Sequence, residues 1–360
     1  MIINGDTGSG KTNLLHVLIT NTLLRYSPEE VQIYLIDFKH GTEFARYAGF
    51  NLPGIRALSI CNEPEFALQV LRMIEQEQSE RVSKFGSAIA NIKSYNQTAQ
   101  KRLPRIIVIL DELYELVLEA KTSKSAENVR EEIMQLIKSF AIQARAYGIH
   151  MVISGQNLTK IPEINGIKES CNTRIALRCS EQQAEALMGS AAKERMRLIN
   201  DQDKGACVVQ LGKTGNPLVE HTAYMEEKGR TGAHIRILKE IHDHYCAKRQ
   251  YGRIRVLAAD VHVDPNNIFQ RYLLYGDVSQ VQADRLWLGE WISTNAAEGL
   301  SLQKKNLWIS GGIGEDAEKA GRSLMFFSLL SLLLQRKKGR KGKNLLWKRR
   351  RYILCSPTER

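Results

Sequence analysis

One eight-residue segment near the amino terminus constrains this chain more than any other, since residues 5–12 read Gly-Asp-Thr-Gly-Ser-Gly-Lys-Thr. The segment matches the pattern G-x-x-x-x-G-K-[ST]; it follows a short apolar strand (1–4) and precedes a helical apolar repeat (13–24). In this setting the backbone N–H groups of the loop surround phosphate at the positive end of a helix. A chance Gly-rich turn is the alternative. We predict a nucleoside triphosphate site formed by Gly5, Asp6, Thr7, Gly8, Ser9, Gly10, Lys11 and Thr12.

Lys11 and Thr12, the last two residues of this loop, are expected to bind different parts of the ligand. The ammonium of Lys11 is expected to reach the β- and γ-phosphates, and the hydroxyl of Thr12 is expected to bind Mg²⁺. The predicted cofactors are therefore a nucleoside triphosphate and Mg²⁺.

A second motif follows a run of five apolar residues (106–110), which is typical of a central strand buried on both faces. The run ends in Asp111 and Glu112. A carboxylate pair at such a strand end suits hydrolysis, because Asp111 can hold the metal ion while Glu112 polarises the attacking water. The alternative is a helix-capping aspartate followed by an exposed glutamate.

A third apolar strand (149–154) is followed by Gln156. A glutamine at this position can sense the γ-phosphate or orient water, as glutamine does in other phosphate-loop enzymes. An ordinary exposed loop residue is an equally acceptable interpretation of Gln156 from sequence alone.

The order of the predicted elements indicates the fold class. Strands at 31–36, 106–110, 149–154, 174–178 and 206–211 alternate with long amphipathic helices at 64–85 and 126–147. This alternation predicts an α/β fold with a mostly parallel sheet flanked by helices, and ligands on such sheets bind at the carboxyl ends of the strands. The three motifs above all follow strand ends.

Residues 1–219 together resemble the FtsK/SpoIIIE family of P-loop motor ATPases. Besides the glycine loop and the Asp111-Glu112 pair, the resemblance rests on four segments: Ile-Asp-Phe-Lys (36–39), Ser-Tyr-Asn (94–96), Ala-Arg-Ala-Tyr-Gly-Ile-His (144–150) leading to Gln156, and Asn-Thr-Arg-Ile-Ala-Leu (172–177). The resemblance implies a RecA-like core that hydrolyses ATP, and a homo-oligomer, a hexameric ring, with ATP bound between subunits. It also implies that one subunit supplies an arginine to its neighbour, for which Arg174 is the candidate and Arg178 the fallback; a structural salt bridge is the alternative for Arg174.

Two departures from the family pattern affect the expected cargo. Family members carry further domains upstream of the glycine loop, often including membrane anchors, whereas this chain starts at that loop. No segment after Arg236 resembles the winged-helix module that reads DNA in the chromosome translocases.

A second glycine-rich turn (311–314) follows the apolar residues 307–309 and precedes a helix-like stretch. Aligned on the first loop, it places Ala317 at the lysine position and two acids, Asp316 and Glu318, where phosphates would lie, so it should repel a nucleotide. We interpret it as the start of a degenerate ATPase-like domain, with an unrelated strand–turn–helix as the alternative. The predicted domains are an ATPase domain (1–225), a connector (226–285), the degenerate domain (286–335) and a basic tail (336–360).

The positive charge of the chain is concentrated in that tail. The net charge is +12, and residues 336–360 hold eleven Lys or Arg and one Glu, so the first 335 residues carry 12 − 10 = +2. Such a run can bind nucleic acid by releasing counterions, or it can be a solvated end.

The composition excludes several classes of protein. With 43% hydrophobic and 25% charged residues the chain is neither disordered nor collagen-like. No apolar run is long enough to span a bilayer, and a glycine loop beginning at Gly5 leaves no room for a signal peptide. Six cysteines without C-x-x-C spacing favour reduced thiols over a zinc site, and hence a cytoplasmic location for this chain, although the full-length protein can be membrane-anchored.

Three functions compete. We predict an ATP-driven ring motor that translocates double-stranded DNA. The alternative is a type VII secretion ATPase that moves protein substrates, which the degenerate second domain and the missing winged helix favour. A nucleotide switch or small-molecule kinase is the third, and the Asp111-Glu112 pair argues against it because it indicates water activation.

Overall fold

The computed structural model describes residues 1–39, 43–48, 50, 52–59, 64–119, 124–200, 202–226, 232–246, 255–257, 285–290 and 297–301. Its strands are β1 (Ile2–Asn4), β2 (Val31–Asp37), β3 (Ile55–Ser59), β4 (Arg105–Asp111), β5 (Ile149–Gly155), β6 (Thr173–Leu177), β7 (Ala206–Leu211), β8 (Leu218–His221), β9 (Arg255–Leu257), β10 (Arg285–Glu290) and β11 (Ala297–Ser301). Its α-helices are α1 (Lys11–Arg25), α2 (Ala45–Ala48), α3 (Pro64–Phe85), α4 (Ile92–Thr98), α5 (Leu113–Glu119), α6 (Lys124–Gln143), α7 (Ile164–Lys168), α8 (Glu181–Met188), α9 (Ser190–Met196) and α10 (Ala233–Cys246).

Nine of these strands form one sheet in the order β8-β7-β6-β1-β5-β4-β2-β3-β9. All neighbouring pairs from β6 to β9 are parallel, while β7 is antiparallel to both β6 and β8. The prediction of a mostly parallel sheet flanked by helices is thus confirmed. The strand order places β1, β5, β4 and β2 side by side, so the residues that follow them meet at one edge of the sheet.

The glycine loop is supported by the core beneath α1. On one face of the sheet, apolar side chains of α1 such as Leu15 and Ile19 pack on Leu35 and Ile109, and all four are almost fully buried. Helices α3 and α6 pack on strands β2, β3 and β5. Each such aliphatic side chain contributes roughly 1.5–3 kcal/mol by burial, which holds the first turn of α1 firmly at the sheet edge.

One predicted helix is shorter in the structure than in the sequence pattern. The pattern predicts a continuous helix over 126–147, whereas α6 ends at Gln143 and a turn of 3-10 helix occupies Ala144–Tyr147. The cause is Gly148, which has φ 79° and whose N–H bonds the carbonyls of Ala144 and Arg145, closing the helix end before β5.

The chain divides into two compact units, residues 1–267 and residues 268–360. Helix α10 and strand β9, which lie in the predicted connector, belong to the first unit, and β9 pairs with β3. In the second unit, β10 and β11 form an antiparallel pair. The second glycine turn (311–314) and the basic tail (336–360) lie outside the described residues, so the degenerate domain stays a prediction. Among the described residues, no helix combines the length and apolar character needed to cross a bilayer.

Candidate functional site

The predicted site residues converge at one edge of the sheet. Strand β1 leads into the glycine loop, β4 ends at Asp111, and β5 leads to Gln156. Strand β2 adds Asp37, which is the register partner of Asp111. Parallel neighbours end at the same level, so residues that are far apart in the chain, such as Lys11, Asp111 and Gln156, line one cleft.

The glycine loop is anchored to the strands on both sides of β1. The Gly5 N–H donates to the carbonyl of Gly155 (3.3 Å), and the Asp6 N–H donates to the carbonyl of Arg178 (3.0 Å). Gly10 has φ 102° and lies against Gly205, where a Cβ atom would come within 3.1 Å of the Gly205 nitrogen. Only glycine combines this left-handed backbone with so close an approach, which explains its place in the motif.

Lys11 forms a buried ion pair with both motif carboxylates. Its Nζ lies 2.6 Å from Glu112 Oε2 and 3.2 Å from Asp111 Oδ1, and all three side chains are at most 7% exposed. Burial opposes the charge of Lys11, but the attraction of Asp111 and Glu112 outweighs it and raises the pKa of the ammonium. The lysine therefore stays charged at any physiological pH.

Glu112 is held in an unusual backbone conformation. Its φ is 52°, a left-handed value that side-chain-bearing residues seldom adopt and that costs of order 1–3 kcal/mol. Its Oε1 accepts a hydrogen bond from the Gln156 N–H (2.8 Å), and the Gln156 amide lies 3.4 Å from Oε2. In this conformation the carboxylate lines the cleft.

Gln156 joins two parts of the site. Its Oε1 accepts a hydrogen bond from the Thr7 hydroxyl of the glycine loop (3.1 Å), while its main chain holds Glu112. The amide thus lies between Thr7 of the glycine loop and the carboxylate expected to act on water.

Asp37 is a fourth charged group whose place the sequence did not reveal. It is 1% exposed, its Oδ1 accepts from the Lys39 N–H (2.8 Å), and its buried Oδ2 has no hydrogen-bond partner among the described residues. Burial, together with the nearby charges of Asp111 and Glu43, raises the pKa of Asp37 to about 7. The neighbouring Asp111 is better satisfied, since its Oδ1 also accepts from the Ser154 hydroxyl (2.7 Å).

These groups line a cleft of about 540 Å³, a size typical of small-ligand sites. Of the predicted site residues, the following line it: Asp6, Thr7, Gly8, Gly10, Lys11, Thr12, Asp111, Glu112 and Gln156. The other two loop residues, Gly5 and Ser9, are buried, and their N–H groups bond the carbonyls of Gly155 and Asp6. Thr12 and Asp111 place a hydroxyl and a carboxylate oxygen in the same cleft, which is the oxygen donor set that Mg²⁺ prefers.

Arg174 does not line this cleft. Its guanidinium donates to the carbonyl of Lys168 (2.9 Å) and approaches Gln210 Oε1 (3.3 Å) and the carbonyl of Leu187 (3.4 Å). These bonds suit a structural role within the subunit, and supply of Arg174 to a neighbour stays a prediction. The fallback, Arg178, lies nearer to the loop, with one guanidinium nitrogen 3.4 Å from the carbonyl of Thr7.

The far wall of the cleft was missed from sequence. It consists of Lys204, Gly205 and residues 221–225, which are the last residue of β8 and the segment that follows it. The local sequence of 221–225 contains no motif that indicates a site. Its position is set by β8, a short exposed strand that is placed by pairing with β7, and the sequence does not predict that pairing.

Comparison with known proteins agrees with this geometry. Residues 1–160 match the sequence model of the FtsK/SpoIIIE family. The DNA translocase FtsK of Staphylococcus aureus is 33% identical over 209 residues, a match that covers 54% of this chain and 25% of that protein. The chain thus spans about a quarter of the length of the curated relatives it matches.

Solved structures show the same fold. ATPases 2 and 3 of EssC from Geobacillus thermodenitrificans superpose with a TM-score of 0.61 at 16% identity, covering 84% of this chain and 53% of that one. The pCW3 conjugation coupling protein TcpA, solved with ATPγS, has a TM-score of 0.52 at 24% identity, covering 62% of this chain and 60% of that one. The predicted RecA-like fold, with its mostly parallel sheet flanked by helices, is therefore confirmed.

The buried ion pair predicts a stability effect. Lys11→Ala leaves Asp111 and Glu112 buried without their countercharge, and we expect it to lower the free energy of unfolding by about 3 kcal/mol. Adding Glu112→Gln should restore part of the loss, because one uncompensated charge is removed. Urea unfolding measures both effects. The control is Lys39→Ala, an exposed lysine of the same cleft; equal effects of the two lysine substitutions would contradict the pairing.

Asp37 predicts a pH dependence. Its pKa is about 7 in the folded chain against an ordinary 3.8, so between these values the folded state binds more protons, and Asp37 costs stability as pH rises. Asp37→Asn removes this cost. We expect it to raise the unfolding temperature more at pH 8 than at pH 5, measured by thermal unfolding in chelator. Asp243→Asn, at an exposed aspartate of α10, is the control; a gain that is the same at both pH values would refute the raised pKa.

Proposed function

We propose, since residues 1–160 match the sequence model of the FtsK/SpoIIIE family, that this chain is the ATP-hydrolysing part of a ring motor that translocates double-stranded DNA. The observation that carries the proposal is the position of Glu112. A strained backbone and the Gln156 N–H direct its carboxylate into the cleft that contains the glycine loop and Lys11. A carboxylate so placed is the expected base for hydrolysis, which a simple binding protein does not need.

The cleft residues have distinct roles in this proposal. ATP is bound through its phosphates by the N–H groups of the glycine loop and by Lys11, while Thr12 and Asp111 hold Mg²⁺. The metal ion neutralises charge on the phosphate oxygens when bound. Glu112 accepts a proton from the attacking water, and Gln156 positions that water or reports the phosphate through Thr7.

Double-stranded DNA is the cargo we favour. Two observations support it: the relatives that are 33% identical are named DNA translocases, and the sequence ends in a stretch of net charge +10. Basic segments of this kind bind DNA through phosphate contacts that release counterions.

A secreted protein is the second candidate cargo. It is favoured by the fold likeness to EssC, whose solved fragment contains two consecutive ATPase domains, and by the degenerate domain predicted from residues 306–318. We further propose that the motor is a hexameric homo-oligomer, that Arg174 or Arg178 acts on the neighbouring subunit's nucleotide, and that the chain works in the cytoplasm.

Glu112→Gln should separate binding from turnover. The amide cannot accept the proton, so we expect the steady-state rate of ATP hydrolysis to fall by at least about a hundredfold. The affinity for ATP, measured by calorimetry with Mg²⁺, should stay within a fewfold of the unmodified chain. Glu115→Gln, the same change three residues later and away from the cleft, is the control and should leave both unchanged. Loss of binding in step with loss of turnover would contradict the role of Glu112.

The cargo is tested by stimulation of ATP hydrolysis. Duplex DNA should raise the hydrolysis rate severalfold, less so at high salt, because the contacts are to phosphate. Lys11→Ala is the control for contaminating ATPases. A rate that duplex DNA leaves unchanged, but that a secreted helical protein substrate raises, would replace DNA with protein as the cargo.

A further inference from the structure

Beside the glycine loop, two groups of residues line the cleft. Lys11, Asp111, Glu112 and Gln156 form the first group, where the reacting phosphate belongs in the proposed function. Gly205 and residues 221–225 form the second group, which we name the shelf. With the terminal phosphate at the first group, we place the nucleoside at the shelf, which carries an aromatic side chain, Tyr224.

The shelf is fixed to the glycine loop by a chain of backbone hydrogen bonds. The Gly205 N–H donates to the carbonyl of Ser9 (3.0 Å), and the Thr222 N–H donates to the carbonyl of Gly205 (2.8 Å). Gly205 has φ 90°, and a Cβ atom there would come within 2.9 Å of the Thr222 hydroxyl. The shelf therefore lies at a set distance from the phosphate-binding N–H groups.

Asn13 provides a second attachment, in the first turn of α1. Its amide nitrogen donates to the carbonyl of Met225 (2.6 Å), and its Oδ1 accepts from the N–H of Met225 (3.0 Å). A side-chain amide that pairs in both directions with one distant residue fixes the position of that residue, 212 positions away. The two attachments hold Ala223 and Tyr224 between them.

Tyr224 is the aromatic residue of the shelf, and its side chain is 75% exposed although it lines the cleft. A large apolar ring that is held on a fixed backbone and left uncovered offers a stacking face, and base–aromatic stacking needs no specific hydrogen-bond pattern. From its position at the nucleoside end of the cleft, we propose that the shelf is the nucleoside-binding part of the site and that Tyr224 stacks on the base of the nucleotide. This inference rests on the proposed function, because it presumes that phosphates bind to the glycine loop.

The proposal is tested with two ligands: ATP, which has phosphates and a base, and inorganic tripolyphosphate, which has phosphates only. We expect Tyr224→Ala to weaken the binding of ATP roughly tenfold, the loss typical of one stacked base, and to leave the binding of inorganic tripolyphosphate unchanged. Tyr224→Phe keeps the ring and should bind ATP like the unmodified chain. Calorimetry with Mg²⁺ measures the affinities of the two variants and of the unmodified chain for both ligands. The control Tyr26→Ala removes a half-exposed tyrosine at the far end of α1 and should change neither affinity.

Asn13→Ala tests the attachment of the shelf independently of the ring. It should weaken ATP more than tripolyphosphate, because Met225 loses both bonds while the loop keeps its N–H groups. ATP binding that is unchanged in Tyr224→Ala, or weakened equally with tripolyphosphate, would overturn the shelf and leave the ATP site standing. If the unmodified chain bound neither ligand, the proposed function itself would fail along with the shelf.

Discussion

The buried contact between Lys11 and the Asp111-Glu112 pair is the interaction on which the rest of the site depends. Moving charges out of water is costly, and the chain places one cation and two anions together where all three side chains are almost fully buried. The arrangement is tolerable only because the lysine lies between the carboxylates and because Ser154 and Gln156 supply further hydrogen bonds. The sheet must therefore keep β1, β4 and β5 in register, since a shift of one strand would leave one of the charges without its partner.

The same charges account for the behaviour of Asp37. Lys11 is shared by Asp111 and Glu112, so the cleft has an excess of negative charge even before Asp37 is considered. A further buried carboxyl on the neighbouring strand has little cation to pair with, and burial together with that excess raises its pKa to about 7. The ionised carboxyl of Asp37 thus lowers the stability of the fold, and such a loss of stability is common at functional sites.

The sequence predicts those parts of the site that depend on local patterns. The glycine loop, the apolar run before Asp111 and the strand before Gln156 each have a signal within about ten residues, and the structure brings them together as expected. It does not predict contacts that only the folded chain creates. A buried polar cluster joins His16 of α1, Tyr47 of α2 and His234 of α10. In it the Tyr47 hydroxyl lies 2.7 Å from His16 Nδ1, and burial lowers the pKa of His16 to about 2. No local sequence pattern around any of these three residues predicts the contact.

That cluster also shows which segments belong to the first unit (1–267). Thr20 of α1 lies 3.1 Å from His234 Nε2, and Leu238 and Ile241 of α10 are buried in the same core as Leu15. Helix α10 comes after the break in pattern near residue 226, yet its apolar face is covered by the helix that carries Lys11. Asn13 of the same helix also binds Met225 through two hydrogen bonds. A displacement of α1 would therefore disturb both residues 221–225 and α10, so the glycine loop is physically connected to the chain that follows residue 226.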